Sequence, residues 1–538
     1  MIPDRQKTVV LTLALCYLAV VVKLFYIQII KYPELSRQLL SQNFKTTTIK
    51  PEMGSILDSQ GKPLVSYQTF FQASIYKPDL KTKTDALTPL LVSKNPQLPQ
   101  SDIDKLTKFV QNDKQKWLSL SGLFDLRQSK EVDDPGIVFT KVSQPIFTEK
   151  NLGDIFLGSS GLAGYYKRQL SGKVGFSWET KDAVGNTILT HPGWIIDPVK
   201  GSDIPTYVNR QIQYLTETTL AEGIKQFSAD SGEILIIDPS TGGIIAMSAQ
   251  TASSSTEATS SAEATASATI LHSNPIIANL FEPGSIVKPL IMTLALDSDS
   301  IKPDFICTKC DRPHQIGQYA VSNWDSNFHA NSDLKDIIKN SDNIGMSYII
   351  KDVGLEKFQK YFKLLGLDRK TGIDLPGEAR PLLKSYWPEI DLATASFGQG
   401  FAVTQVQMLT AFNTIANNGV RVGPHFRQDQ KTISTKVYEA KSVELIKDIL
   451  RYGVENGAVA KFKPDSLEVC GKSGTSQVAV KGGYSDTSTI ASYIGFSPCK
   501  NPEFTMIVTI HNPRTSPWGS STAAPIWYKI AGKLPSLL

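Results

Sequence analysis

Hydrophobic positions fall into three regimes along the chain. From Thr8 to Ile30 every residue is apolar or weakly polar except Lys23 and Gln28. A run of that length matches a membrane-crossing helix, and Lys23 can snorkel towards an interface. Arg5 and Lys7 precede the run, so residues 1–7 are expected in the cytoplasm and the chain after residue 30 outside. The competing reading is a cleaved signal peptide. Against it, the bulky Leu24, Phe25 and Tyr26 follow Val22 with no small-x-small site, and Leu15 stands where a lipidated Cys16 would need a small residue. The expectation is one uncleaved anchor over 8–30.

Residues 31–204 show the second regime: short strand-like runs such as Ile137 to Val142, turn clusters such as Asp182 to Asn186, and polar stretches such as Thr82 to Asp104. No catalytic constellation occurs there. The pattern predicts a mixed pedestal domain that lifts a second domain off the membrane.

From 205 to 538 the periodicity strengthens. Ile212, Leu215, Leu220 and Ile224 give helical spacing over Val208 to Phe227. Glu233 to Asp238 and Gly243 to Met247 flank Pro239-Ser240-Thr241-Gly242 and predict a hairpin. Residues 251–269 are almost entirely Ala, Ser, Thr and Glu, too little apolar surface to fold, and are expected to form a disordered loop. Ser285 to Leu296 reads as a buried helix, and 333–420 as mostly helical. Leu467 to Val480, Thr489 to Phe496 and Glu503 to His511 read as strands, and Ala523 to Ile530 as a closing helix. This order predicts an α+β fold with about five antiparallel strands in one sheet and a helical subdomain beside it.

Charge changes this picture little. Lys plus Arg is 56 and Asp plus Glu is 51, a net of +5, which argues against a nucleic-acid partner. Five cysteines exclude a disulfide-rich scaffold. Cys307-x-x-Cys310 is half of a zinc pattern without a second pair, so it reads as a local disulfide or two free thiols. Cys470 and Cys499 flank two strands joined by the Lys481 to Asp486 turn, and reflection about that turn brings them close.

Three short patterns carry chemistry: Ser285-Ile286-Val287-Lys288, Ser341-Asp342-Asn343 and Lys472-Ser473-Gly474-Thr475. Serine and lysine three apart on a helix share a face. A serine hydroxyl needs a base before it is a useful nucleophile, and lysine serves only when neutral. Burial and a second cation, here Lys472, both lower its pKa. Glu282-Pro283-Gly284 sets Ser285 at a helix start, with its backbone N–H aimed at a developing oxyanion. Ser341 can relay a proton to a leaving group, and Asn343 can hold both Lys288 and a substrate amide. Asp342 is expected to face the fold. Gly474 lets an extended substrate approach the strand. Lys472 and the hydroxyls of Ser473 and Thr475 suit a carboxylate, and the Thr475 N–H is the second oxyanion donor. Each pattern alone is common by chance; the three in order are specific.

The chain resembles a class B penicillin-binding protein, a peptidoglycan D,D-transpeptidase. The likeness extends to Glu282-Pro283-Gly284-Ser285, Thr371-Gly372-Ile373-Asp374-Leu375-Pro376-Gly377-Glu378, Ser396-Phe397-Gly398-Gln399-Gly400 and the Asp238-Pro239 hairpin. In the pedestal, Gly54, Ile56, Asp58 and Gly61 fit the same family, which usually has Arg where Met53 stands and Glu where Tyr165 stands. The resemblance implies that Ser285 attacks the penultimate D-Ala carbonyl of a stem peptide ending in D-Ala-D-Ala. It further implies Lys288 as base, Ser341 and Lys472 in proton delivery, Asn343 as orienting group, and Ser473, Gly474 and Thr475 in substrate binding. The implied oxyanion hole is the backbone N–H pair of Ser285 and Thr475. β-Lactams would acylate the same serine; no metal or organic cofactor is implied. The implied partners are a SEDS-type glycosyltransferase and other division proteins at the cell membrane, with the Glu-Pro-Gly-Ser and Gly-Ile-Asp-Leu-Pro-Gly-Glu stretches leaning towards division.

Two other classes compete. A β-lactamase-like hydrolase needs a water-activating group; Glu389-Ile390-Asp391-Leu392-Ala393 faintly matches such a pattern, with Ala393 replacing its Asn. An inactive scaffold should have lost motif residues, and none is lost; a β-lactam sensor usually carries a separate membrane signalling module, and one anchor gives little room for it.

Overall fold

The apolar run at the N-terminus forms one helix, Asp4–Phe25, continued by a π-helical turn, Tyr26–Ile30. Thr8–Ile30 has a mean hydropathy of 2.3 with none of its most apolar window buried, long and apolar enough to cross a membrane. The structure, a computed structural model, describes residues 4–32, 34–35, 44–149, 152–180, 194–252, 273–480 and 483–538. The expected turn at 182–186 and residues 253–269 of the low-complexity tract lie outside them.

The chain divides into two compact units, Met1–Gly54 with Arg168–Ser202, and Ser55–Lys167 with Asp203–Leu538. The boundary expected near 204 meets one edge of this division, but residues 55–167 share a unit with the catalytic region. The first unit carries the apolar helix and a three-stranded antiparallel sheet of Phe44–Ile49, Gly175–Thr180 and Trp194–Ile196.

In the second unit, Pro63–Tyr76 pairs antiparallel with Trp117–Phe124 and with Ile137–Phe147. The stretch 82–104, read from sequence as a polar interruption, instead lies largely within two helices, Thr84–Lys94 and Gln100–Gln111. Most of their polar residues face water, while Leu87, Leu91, Leu106 and Phe109 are fully buried in a small core and the buried Asp102 accepts from the Ser121 hydroxyl at 2.8 Å. Further along, the Tyr166 hydroxyl donates to Asp374 at 2.7 Å, and Asp374 also accepts from the Phe426 N–H at 2.8 Å. One buried carboxylate thus joins the pedestal segment to the Gly372–Glu378 loop.

The catalytic region is built on a five-stranded sheet, with elements numbered here in chain order. Helix α1 (Arg210–Gln226) leads into β1 (Ser231–Ile237) and β2 (Ile244–Thr251). Then come α2 (Lys288–Asp297), α3 (Leu334–Lys339), α4 (Asn343–Leu364), α5 (Gln405–Ala416) and α6 (Ala440–Asn456). Strands β3 (Cys470–Val480), β4 (Gly483–Ser497) and β5 (Phe504–His511) precede α7 (Ala523–Ala531). The spatial order is β2-β1-β5-β4-β3, all antiparallel.

Helices α1 and α7 cover one face of this sheet. Ile212, Leu220, Ile224, Ile526, Trp527 and Ile530 bury against Ile234, Ile236, Tyr493, Met506 and Val508. Every residue of α5 is buried, as are all of α2 except Asp297, the signature of helices with no solvent face. Cys470 and Cys499 are bridged, with Cα atoms 5.3 Å apart. Cys307 and Cys310 also form a disulfide, which resolves the two readings left open for that pair.

Candidate active site

Ser285 does not start an α-helix directly. It lies in a 3₁₀ turn, Gly284–Val287, and the α-helix proper begins at Lys288. Pro289 explains the difference from the continuous helix expected: it has no N–H to bond the Ser285 carbonyl, which instead accepts from the Lys288 N–H. Gly284 takes φ +58°, and the Gly398 peptide lies so close to it that a Cβ on Gly398 would come within 2.4 Å of the Gly284 nitrogen. Glycine at both positions allows this approach.

Lys288 has no solvent exposure. Its amine donates to the Ser341 backbone carbonyl, to the Ser341 hydroxyl at 3.1 Å and to Asn343 Oδ1 at 2.7 Å. These three bonds turn it towards the middle motif; its hydrogen bonds do not include the Ser285 hydroxyl, which lines the same cleft. Ser341 sits between α3 and α4 with φ +55°, a left-handed conformation that turns both its carbonyl and its hydroxyl onto Lys288.

Asp342 is fully buried and caps α4 by accepting from the Gly345 N–H at 2.9 Å, so it faces the fold. Asn343 is held by Asn323, whose Oδ1 accepts from the Asn343 N–H at 2.8 Å. Sequence reasoning passed over Asn323, because a residue twenty positions away contributes through the fold alone.

Strand β3 carries the third motif. Lys472 is 5 % exposed and donates to the Ser473 carbonyl at 2.7 Å. The Thr475 hydroxyl accepts from the Gly519 N–H at 3.0 Å, which leaves its own proton for a ligand. A Cβ on Gly474 would lie 2.8 Å from the Ile286 side chain, so only glycine lets β3 pack this closely on the Gly284–Val287 turn.

Burial drives the Lys288 amine well below the usual lysine range, and the nearby Lys472 charge pushes it further down, partly opposed by Asp342. Burial lowers Lys472 to about 7. Two buried amines with lowered pKa, Lys288 beside the Ser341 hydroxyl, can supply a base and a titratable cation.

All eight residues singled out from sequence gather at one place. Ser285, Ser341, Asn343, Lys472, Ser473, Gly474 and Thr475 line a cleft of about 1080 Å³, and Lys288 lies beneath it against Ser341 and Asn343. Trp324 and Trp518, ring centroids 4.7 Å apart, form an aromatic wall that the motifs did not signal. Glu389, the residue a hydrolase would need, is ion-paired with Lys351 at 3.4 Å and does not line the cleft. Among the described residues, no group of three or more His, Cys, Asp or Glu side chains could hold a metal ion.

The fold and this convergence define a class: a serine-type acyltransferase. The chain belongs to the penicillin-binding protein family, since the Penicillin binding protein transpeptidase domain matches residues 232–532. It is 24% identical to the probable peptidoglycan D,D-transpeptidase PenA of Neisseria meningitidis over 98% of this chain and 92% of that protein. It is 26% identical to the stage V sporulation protein D of Bacillus subtilis over 97% and 84%. Two solved structures share the fold: a peptidoglycan synthetase from Bifidobacterium adolescentis (TM-score 0.73, 22% identity, 92% of this chain and 96% of that one) and penicillin binding protein 2X from Streptococcus thermophilus (0.72, 20%, 91% and 80%). These findings favour the transpeptidase over the hydrolase and the inactive scaffold.

Proposed function

We propose that this enzyme cross-links peptidoglycan stem peptides through an acyl-enzyme on Ser285. The observation that carries the reading is the buried Lys288 amine, held by Ser341 and Asn343 beneath the cleft that Ser285 lines. Neutral Lys288 takes the Ser285 proton as the hydroxyl attacks the penultimate D-Ala carbonyl. The Ser285 and Thr475 N–H groups receive the oxyanion. Ser341, supported by Lys472, delivers a proton to the departing D-Ala nitrogen as the C–N bond breaks. Lys472, Ser473 and Thr475 hold the terminal carboxylate, and Asn343 orients the peptide. An amine of a neighbouring stem then attacks the ester and releases Ser285. β-Lactams enter the same route and leave the serine blocked.

The apolar helix over Thr8–Ile30 supports a single-pass anchor with residues 1–7 in the cytoplasm and the catalytic region outside. Residues 31–204 serve as the pedestal in this reading and 205–538 as the transpeptidase domain. A SEDS-type glycosyltransferase and other division proteins are the proposed partners. The test is an acyl-D-Ala-D-Ala thioester analogue supplied with an amino-acid acceptor. Amide product formed at a rate that rises with acceptor supports the reading. Hydrolysis alone, unchanged by acceptor, overturns it.

A further inference from the structure

Strand pairing between β3 and β4 breaks near the hairpin tip. Gln477 pairs with Thr489, but Ala479 pairs with Tyr484, so four residues of β4 bulge outwards opposite one of β3. Beyond the bulge only Ala479↔Tyr484 and Val480↔Gly483 remain in register. A hairpin end attached by two pairs is free to swing unless something else ties it down. Tyr484 does: its hydroxyl donates to Glu282 Oε1 at 3.2 Å.

Glu282 stands three residues before Ser285, and the same oxygen accepts from the Gly400 N–H at 2.9 Å. Two residues before Gly400, the Gly398 carbonyl accepts from the Gly284 N–H at 3.1 Å. One carboxylate oxygen therefore joins the nucleophile turn, the Ser396–Gly400 loop and the tip of the β3–β4 hairpin. Its second oxygen, Oε2, is buried without a hydrogen-bond partner among the described residues, so this carboxylate is not there to meet solvent. The two oxyanion donors of the mechanism sit on the elements being joined, Ser285 on the turn and Thr475 on β3. Their packing is already close: a Cβ on Gly284 would lie 3.1 Å from the Thr475 carbonyl.

We propose that Glu282 and Tyr484 form a clamp that sets the spacing between the Ser285 and Thr475 backbone N–H groups, and that both are positioning residues for acylation. Neither touches the reacting atoms. The clamp holds the hairpin against the nucleophile turn so that both donors reach one oxyanion together, where a displacement of a few tenths of an ångström weakens the pair. The inference rests on Ser285 as nucleophile.

The experiment is a double-mutant cycle on the full-length protein in detergent, read as the acylation rate of a chromogenic cephalosporin at saturation and, separately, its non-covalent affinity. Glu282→Ala and Tyr484→Phe should each slow acylation about five- to tenfold, with affinity unchanged. Glu282→Gln, which keeps the acceptor oxygen, should recover most of the rate, and the double variant should be no slower than Glu282→Ala. Tyr484→Phe at the wild-type rate, or losses that multiply in the double variant, would overturn the clamp. Should Glu282→Ala fail to fold, Tyr484→Phe decides alone, since it removes one half-exposed hydroxyl. A wild-type protein that no β-lactam acylates would overturn the Ser285 reading itself, an outcome separable from both.

Discussion

The Lys288 amine lies 3.1 Å from the Ser341 hydroxyl, a contact between the root of one buried helix and a left-handed turn fifty-three residues on. A proton taken from Ser285 by Lys288 is therefore one hydrogen bond from Ser341, the group proposed to hand it to the leaving amine. Ser341→Ala should lower acylation by about 10²–10⁴-fold, the range for a lost proton-transfer group. Lys288→Arg should abolish it, because a guanidinium keeps its proton. Stopped-flow acylation by a penicillin checks both, and a Ser341→Ala rate within a few-fold of wild type would remove Ser341 from the relay.

Acylation should follow a bell-shaped pH profile. Lys288 acts only when neutral, so on the acid side the rate falls as pH drops through its lowered pKa. Lys472 assists as a cation, so on the alkaline side the rate falls as it loses its proton near about 7. The two amines interact, and the limbs belong to the pair. Lys472→Arg keeps the charge and should flatten the alkaline limb while leaving the acid limb in place. Second-order acylation constants measured from about pH 5 to about pH 10 test this.

The Cys470–Cys499 bridge closes a loop across a sequence separation of 29 and anchors the start of β3, two residues before Lys472. Replacing both cysteines by serine should destabilise the catalytic region by about 3–4 kcal/mol on loop-entropy grounds. Denaturant unfolding measures it, and stability equal to wild type would leave the bridge without a structural role.

Tyr166→Phe removes the hydroxyl bonded to the buried Asp374 carboxylate. The expected cost is about 1–3 kcal/mol, seen as a lower melting temperature with acylation kinetics intact. An unchanged melting temperature would contradict the proposed tie between residues 152–167 and the catalytic region.

Short-range chemistry was legible in the chain, and contacts between distant segments were not. The hairpin at Asp238, the strands of the sheet and the motif residues all announce themselves within a few positions, because pattern and spacing carry the information. The helix 84–94 escaped because its buried positions are only Leu87 and Leu91, too few to stand out among Thr, Asp and Lys. The helix 440–456 passed unremarked although Val443, Ile446, Ile449 and Leu450 mark its buried side. Asn323, Trp324 and Tyr484 enter the site through folding alone. The 3₁₀ start at Ser285 had a signal, Pro289, that a continuous-helix reading overlooks.

The central claim is that Ser285 is the acylated nucleophile. Fluorescent penicillin followed by peptide mapping tests it on wild type and on Ser285→Ala, with unfolding curves to confirm that the variant keeps its fold. The account predicts one labelled peptide containing Ser285 and no label on the variant. Label that persists on folded Ser285→Ala, or maps to another residue, would contradict it.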